Sequence, residues 1–369
     1  MNNKTTGIIF ADISDGNLHE LTTHRPTASV PFGGRYRLID FVLSNFHRSD
    51  ITDVGVIVQS NYRSLMDHLG SGKDWDLSRK HGGLSILPPL AGQRIYHTRL
   101  EALCGIRNYI SATPSDYVVL ADSDIVYSLD LSALLEQHAQ TGADITAAYR
   151  QETLEGPPGV SIHAYETDKT GRITAIVADP KPGEHLVGIH LLVFNKPLLL
   201  EIINEAASYG LSDLHRDILQ KRTDVYRMYG WEFSGYAARI DSLPHYLSTS
   251  IDLLDADVRE DLFHRHGPVC TRVRDEVPAQ YGENASVTNS FIADGCVIEG
   301  EVENSVLFRG VTVGSGAKIS NSIILKNSCV GSNVTLDYCI IDKEVQVRDD
   351  RSLMGYGTYP LFISAGSIV

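Results

Sequence analysis

Residues 289–347 read NSFIADGCVIEGEVENSVLFRGVTVGSGAKISNSIILKNSCVGSNVTLDYCIIDKEVQV. An Asn-Ser step followed by an apolar residue recurs at Asn289, Asn304 and Asn321. Asp337-Tyr338 stands where a fourth step belongs, so successive starts lie 15, 17 and 16 residues apart. That spacing is close to three six-residue units per coil, with small deletions. A hexapeptide repeat of aliphatic residues with nearby Gly or Asn predicts a parallel β-helix, in which short faces turn through the Gly and Asn positions. The candidates for its stacked interior are Ile292, Ile298, Val306, Val313, Ile319, Ile323, Val330, Val334 and Ile340. An ordinary small β-sandwich is the competing architecture, and the alignment of four steps favours the β-helix.

Upstream of the repeat, HRHGPVC and RDEVPAQYG carry the Gly and Pro punctuation of a linker. Before about Asp261 the pattern is different. Apolar strands are expected at Thr6–Phe10, Asp53–Gln59, Asp116–Leu120, Asp144–Tyr149, Leu186–Phe194 and Val225–Tyr229. Helical patterns fall between them at Arg37–Ser44, Leu100–Ile110, Leu131–Thr141 and Pro197–Glu205, with Pro244–Asp255 as a closing helix. Alternation of this kind predicts an α/β domain with a mostly parallel sheet covered by helices on both faces. Ligands in such domains bind at the carboxyl ends of the strands.

The chain has 369 residues, enough for two domains, with 43% hydrophobic and 21% charged residues. A formal net charge of -14 argues against non-specific binding to nucleic acid or an anionic membrane, and leaves room for a local phosphate-binding patch. The N-terminus lacks the pattern of a signal peptide, and no apolar run is long enough to span a bilayer. A cytoplasmic location is therefore expected. Five scattered cysteines, Cys104, Cys270, Cys296, Cys329 and Cys339, predict buried thiols rather than a disulfide framework or a zinc site.

The stretch PFGGRYRLIDFVLSN, Pro31 to Asn45, together with the strand–helix order and the repeat tail, resembles the ADP-glucose pyrophosphorylase (glucose-1-phosphate adenylyltransferase) family. The resemblance covers nearly the whole chain. It implies a Rossmann-like nucleotidyltransferase domain over 1–260, a linker over 261–285 and a left-handed parallel β-helix over 286–369. It also implies assembly as tetramers. The family's reaction joins an NTP to a sugar phosphate and releases pyrophosphate. That chemistry needs a glycine-rich phosphate loop, a cation on the leaving group, and carboxylates for Mg²⁺.

Set against the family pattern, those parts are altered. The loop after the first strand carries Asp12 and Ile13 in place of paired glycines, Asp15 in place of a third, and Asn17 in place of the leaving-group arginine. Asp12 and Asp15 would repel a triphosphate, and Ile13 puts a branched side chain where bare backbone is needed. Asp124 matches the first metal carboxylate, whereas Arg239 stands at the second. Asp241, two residues on, would face the same side if the strand continued. In the base pocket, Arg99 and Leu100 of Thr98-Arg99-Leu100-Glu101-Ala102-Leu103 replace small residues. Lys181 matches the sugar-phosphate lysine, or is a solvated loop lysine. Arg25, Arg35 and Arg37 keep basic character at a regulatory anion site, where His24 and Thr27 replace lysines; alternatively these arginines pair with local carboxylates.

The resemblance therefore implies the non-catalytic, D-type regulatory subunit of bacterial glycogen synthesis. It would bind no cofactor itself and would work in a heterotetramer beside a catalytic, Mg²⁺-dependent glucose-1-phosphate adenylyltransferase subunit, with self-assembly as a homo-oligomer also open. A weak nucleotidyltransferase using Asp124 and Asp241, and a free-standing sugar-phosphate or nucleotide-sugar binding protein, are the alternatives. An acyltransferase on the β-helix is disfavoured, because no histidine lies between Ala285 and Asp350.

Overall fold

The computed structural model describes residues 4–12, 18–89, 96–154 and 162–369. These form two compact units. The first comprises Met1–Asp15 with Phe41–Ala237, and the second Gly16–Asp40 with Ala238–Val369. No helix among the described residues is long and apolar enough to cross a membrane.

The first unit is built on a nine-stranded sheet. Four parallel strands occupy one side in the order Tyr117–Asp122, Thr5–Phe10, Asp53–Ile57 and Gly83–Leu87. The long strand Gly183–Asn195 joins antiparallel to Tyr117–Asp122 and also pairs with Ile145–Leu154 and His163–Thr167. Parallel strands buried on both faces need continuous apolar runs rather than alternation. Ile8, Ile9, Val118, Val119 and Leu120 accordingly show 0 to 2% exposure.

Three of the expected elements are divided or shifted, and the strands Gly83–Leu87, His163–Thr167 and Ile173–Ala178 are not among those expected from the sequence. The predicted helix over 100–110 is two helices, Arg99–Gly105 and Arg107–Ala112, broken at Ile106. A Cβ on Gly105 would lie 2.0 Å from the Tyr96 hydroxyl, so close packing of the tyrosine requires glycine at the break. The predicted strand 225–229 runs instead from Met228 to Glu232. Asp144 accepts from the backbone N–H and the guanidinium of Arg227, which fixes the start of pairing at Met228 opposite Ile145. The closing helix is Leu243–Asp252, and Asp255 caps a separate helix, Ala256–Glu260.

In the second unit the repeat folds as a parallel β-helix with three five-stranded parallel sheets. The registers Val287↔Val302, Val302↔Ile319 and Ile319↔Leu336 set coil lengths of 15, 17 and 17 residues. The last sequence interval is therefore 17, not 16, because Tyr338 rather than Asp337 occupies the corner. Asn289, Asn304, Asn321 and Tyr338 all adopt positive φ there, between 43° and 50°. Asn enters this region at little cost, whereas a tyrosine is strained in it.

The serine beside each corner asparagine has its own task. The Ser305 hydroxyl donates to the Glu303 carbonyl at 2.6 Å and accepts the Ser322 N–H at 3.1 Å. The Ser322 hydroxyl likewise donates to the Ser320 carbonyl and accepts the Cys339 N–H at 3.0 Å. These groups are buried, so each hydroxyl satisfies backbone that water cannot reach.

The interior ladder on one sheet is Ile292, Leu307, Ile324, Ile341 and Ile363. Val306, Ile323 and Ile340, expected inside, are instead their neighbours and point outward, by the alternation of strand side chains. They are nevertheless 0% exposed. The cover comes from the same unit: the Arg259 guanidinium lies 5.8 Å over the Phe291 ring, and a Cβ on Gly34 would sit 3.9 Å from the Leu307 carbonyl oxygen. The other six interior assignments include Ile298, Val313, Ile319, Val330 and Val334, all within the β-helix core, with Ile292 packed at its edge.

Among the described residues none of the five cysteines forms a disulfide. Cys296 and Cys339 are buried as expected, whereas Cys329 points outward from its coil and is exposed.

Candidate functional site

In the first unit the carboxyl ends of Thr5–Phe10 and Tyr117–Asp122 lie side by side, with Phe10 opposite Asp122. The chain leaving Phe10 is anchored by the Ala11 N–H on the Ile57 carbonyl at 3.1 Å. Gln59 Nε2 donates to the Asp12 carbonyl at 3.2 Å, and Ser123 Oγ to the Phe10 carbonyl at 3.0 Å. Asp12 is half-buried. Ile13, Asp15 and Asn17 lie outside the described residues.

Across from this edge, Thr98 caps the helix Arg99–Gly105 by accepting the Glu101 N–H at 3.2 Å, while Glu101 Oε2 accepts the His97 N–H at 2.7 Å. This is a near-reciprocal Thr-x-x-Glu cap, and it holds Arg99 in the first helical turn. Arg99 Nε contacts both oxygens of Asp122, at 3.1 and 2.9 Å, and its Nη2 also bonds Oδ2. His190 Nδ1 approaches the same Oδ2 at 2.7 Å. His190 has φ of 51° at an irregularity between Gly188 and Leu192, and this bend brings the ring to the carboxylate. Burial pushes the Asp122 carboxyl up, but Arg99 and His190 outweigh it and hold the group well below the usual carboxylate range. Leu100 and Leu103, on the other side of the helix, belong to the core.

Asp124 is 5% exposed, and Asp122, Asp124 and His190 offer donor atoms within 4.8 Å of one another. The set does not fit Mg²⁺. That ion prefers oxygen ligands in octahedral geometry, yet one carboxylate here already carries a guanidinium and the third donor is an imidazole.

The position expected for a second carboxylate holds Arg239, the last residue of a short strand. Alternation stops there, since Ser242 already caps the helix Leu243–Asp252. Asp241 lies in the link between them, buried, with Oδ1 2.5 Å from His245 Nδ1. Burial raises the Asp241 carboxyl, but the His245 hydrogen bond leads the partners that bring it below normal. Lys181 is exposed on the turn between Ala178 and Gly183.

Within the second unit one cluster is rich in positive charge. Arg25 is 6% exposed and pairs with Asp342 at 2.5 Å. Arg37 bonds Ser29 Oγ, and its N–H donates to Asp40 at 3.0 Å. Burial pulls the Arg37 guanidinium below its ordinary value, and Arg274, Arg25 and Arg272 add to the shift. Burial likewise lowers the Lys343 ammonium to about 8, reinforced by Arg25, Arg37 and Arg274 and opposed by Asp342. Among the described residues, the charges acting most on Arg37 and Lys343 come from Arg25, Arg272 and Arg274 on one side and the carboxylates Asp40 and Asp342 on the other. Arg35 stands apart, exposed, with its guanidinium 5.7 Å over the Tyr36 ring. His24 is exposed and Thr27 buried in a short helical turn. Sequence reading found Arg25 and Arg37. It missed Arg272, Arg274 and Lys343, whose only signal was basic character in a linker and a coil.

Fold and site together define a nucleotidyltransferase-type protein carrying a hexapeptide-repeat β-helix. Residues 7–237 match the family described as nucleotidyl transferase, and residues 275–357 match the family described as GlmU-like, C-terminal hexapeptide. The chain belongs to the glucose-1-phosphate adenylyltransferase family of nucleotidyl transferases and is GlgD-like. It is 34% identical to the glycogen biosynthesis protein GlgD of Bacillus subtilis (strain 168), over 100% of this chain and 97% of that protein. It is 37% identical to GlgD of Geobacillus stearothermophilus over 86% of this chain and 84% of the relative. Against the glucose-1-phosphate adenylyltransferase of the same organism the identity is 32%, again over 86% and 84%.

Proposed function

We propose that this chain is a regulatory, non-catalytic subunit of glucose-1-phosphate adenylyltransferase in glycogen biosynthesis. In this reading it acts in the cytoplasm, in a heterotetramer with a catalytic subunit. The observation that carries the proposal is the grip of Arg99 and His190 on Asp122. Nucleotidyl transfer needs carboxylates free to hold a metal and cations aimed at the leaving pyrophosphate. Here Asp124, at the first metal-carboxylate position, sits beside an Asp122 that the chain's own guanidinium already neutralises, and an arginine stands where the second carboxylate is needed. Loss of one transition-state cation alone typically costs about 10³–10⁵ in rate. What the chain keeps is a scaffold for assembly and the basic cluster around Arg25, Arg37 and Lys343. A subunit of this kind tunes its neighbour if partner binding favours one of two states of the assembly.

The test is ADP-glucose formation from ATP and glucose 1-phosphate with Mg²⁺, comparing this chain, the catalytic subunit and their mixture. The expected result is no turnover by this chain, with a higher rate or an altered effector response in the mixture. Robust turnover by this chain alone overturns the proposal.

The basic cluster is read as the effector site for a phosphate-bearing anion, and it makes a separate prediction. An anion beside Lys343 favours the charged ammonium, so binding takes up a proton once the pH exceeds about 8. Sulfate keeps its double charge across pH 7–9.5 and isolates the protein's contribution. Its affinity, measured by calorimetry, is expected to be flat near pH 7 and to fall by up to about tenfold per pH unit above pH 8. Lys343→Met should weaken binding at pH 7 and flatten the profile. An unaltered profile in that variant would remove Lys343 from the site.

A further inference from the structure

Three buried histidines, His163, His190 and His215, converge in the first unit. His163 opens the strand His163–Thr167, and His215 lies in the π-helical turn Leu214–Leu219. Their rings stack with centroids 3.9 Å apart and planes 16° apart, and His190 lies 6.4 Å from each. Asp213, at the head of the turn, accepts the N–H groups of His215 and Arg216 at 2.8 and 2.9 Å, both through Oδ1. A ring nitrogen of His163, a carboxylate oxygen of Asp213 and a ring nitrogen of His215 lie within 4.8 Å of one another.

We propose that His163, Asp213 and His215 form a binding site for one divalent late first-row transition ion of the zinc type. Two imidazoles and a carboxylate are the donor set that such ions select, whereas Mg²⁺ prefers oxygen alone. The stacked rings hold their lone pairs in nearly parallel planes, so binding requires the His163–His215 stack to open as the three donors close to bonds of about 2 Å. The backbone bonds to Asp213 Oδ1 fix the carboxylate in place, as supporting hydrogen bonds do in metal sites. Electrostatics favour a dication. Asp213 supplies the negative charge of the donor set, whereas Asp122 is already held by Arg99. The neighbouring trio of Asp122, Asp124 and His190 is less suited, because a cation there must displace Arg99. Among the described residues Asp213 makes no ion pair. The ion would tie the strand to the turn, a structural task independent of nucleotidyl transfer.

The experiment strips the full chain with EDTA and titrates it with Zn²⁺ by calorimetry and with Co²⁺ by visible absorption. The expected result is one ion per chain with a dissociation constant below about 1 μM, a rise in Tm, and the d–d bands of a tetrahedral nitrogen–oxygen site. His163→Gln and His215→Gln should each weaken binding by about 100-fold or more. His81→Gln, at an exposed histidine outside the trio, should bind as the parent does. The Co²⁺ spectrum of the unaltered chain gives a readout that does not depend on a variant folding. Binding weaker than about 100 μM in the unaltered chain, unchanged affinity in both glutamine variants, or equal competition by Mg²⁺ overturns the proposal.

Discussion

Arg99→Ala is expected to lose about 3–5 kcal/mol of stability, because it leaves the Asp122 carboxylate buried without its principal cation. Asp122 is 4% exposed and the Arg99 side chain 16%, so solvent screens the pair little. Urea unfolding followed by circular dichroism would measure the loss. The double variant Arg99→Ala/Asp122→Ala should recover much of it, since the stranded charge is then gone. The sign of the pH dependence follows from the depressed Asp122 carboxyl. Its contribution to stability is present above the unfolded carboxylate value of about 3.9 and is lost as pH falls through the lower folded value. The gap between parent and Arg99→Ala should therefore be full at neutral pH and narrow on acidification. A loss under about 1 kcal/mol, the range of an exposed pair, would mean that Arg99 does not neutralise the carboxylate. The proposed loss of catalysis would then lack its main support. Neither variant is expected to gain ATP turnover, because by the family resemblance Arg239 stands at the second carboxylate's position.

Ile323→Asp carries an effect of similar size for a different reason. A β-helix coil ordinarily points alternate residues to solvent, and on that rule either Ile323 or Ile324 would tolerate a charge. Both are 0% exposed, Ile324 in the core between Leu307 and Ile341, and Ile323 beneath the segments that cover the outer face. An unpaired charge at either place is expected to cost several kcal/mol. Gln346→Asp, on an exposed outward position of another sheet, should stay within about 0.5 kcal/mol of the parent. Thermal melts of Ile323→Asp, Ile324→Asp and Gln346→Asp make the comparison. A parent-like Tm for Ile323→Asp would show that the outer face of that sheet is open to solvent.

Much of the fold is legible in the chain because its periods are physical. Asn289, Asn304 and Asn321 announce corners, since Asn tolerates positive φ and the following serine can bridge coils. The fourth corner is obscured by Tyr338, a residue that local preference would not place there, and this is why the interval reads one residue short. The apolar runs at Ile8–Phe10 and Val118–Ala121 reveal buried parallel strands, because nothing polar could be satisfied on either face.

The site is legible only as a set of departures. Arg99 reads as an oversized residue in a pocket, and only packing against the strand end turns it into the partner of Asp122. Lys343, Arg272 and Arg274 carry no local pattern that links them to Arg25 and Arg37. His163, His190 and His215 are spread across 53 positions of sequence and converge only through a bent strand and a π-helical turn.

By itself the sequence determined the class of each domain, the repeat that closes into a coil, and the absence of the expected phosphate-loop glycines, since these depend on residue type and local period. Tertiary structure alone decided which face of a coil is covered, which cation neutralises which carboxylate, and which histidines meet. Those outcomes depend on side chains brought within a few ångströms by elements distant in the chain, where Coulomb and burial energies are large and local patterns carry no information.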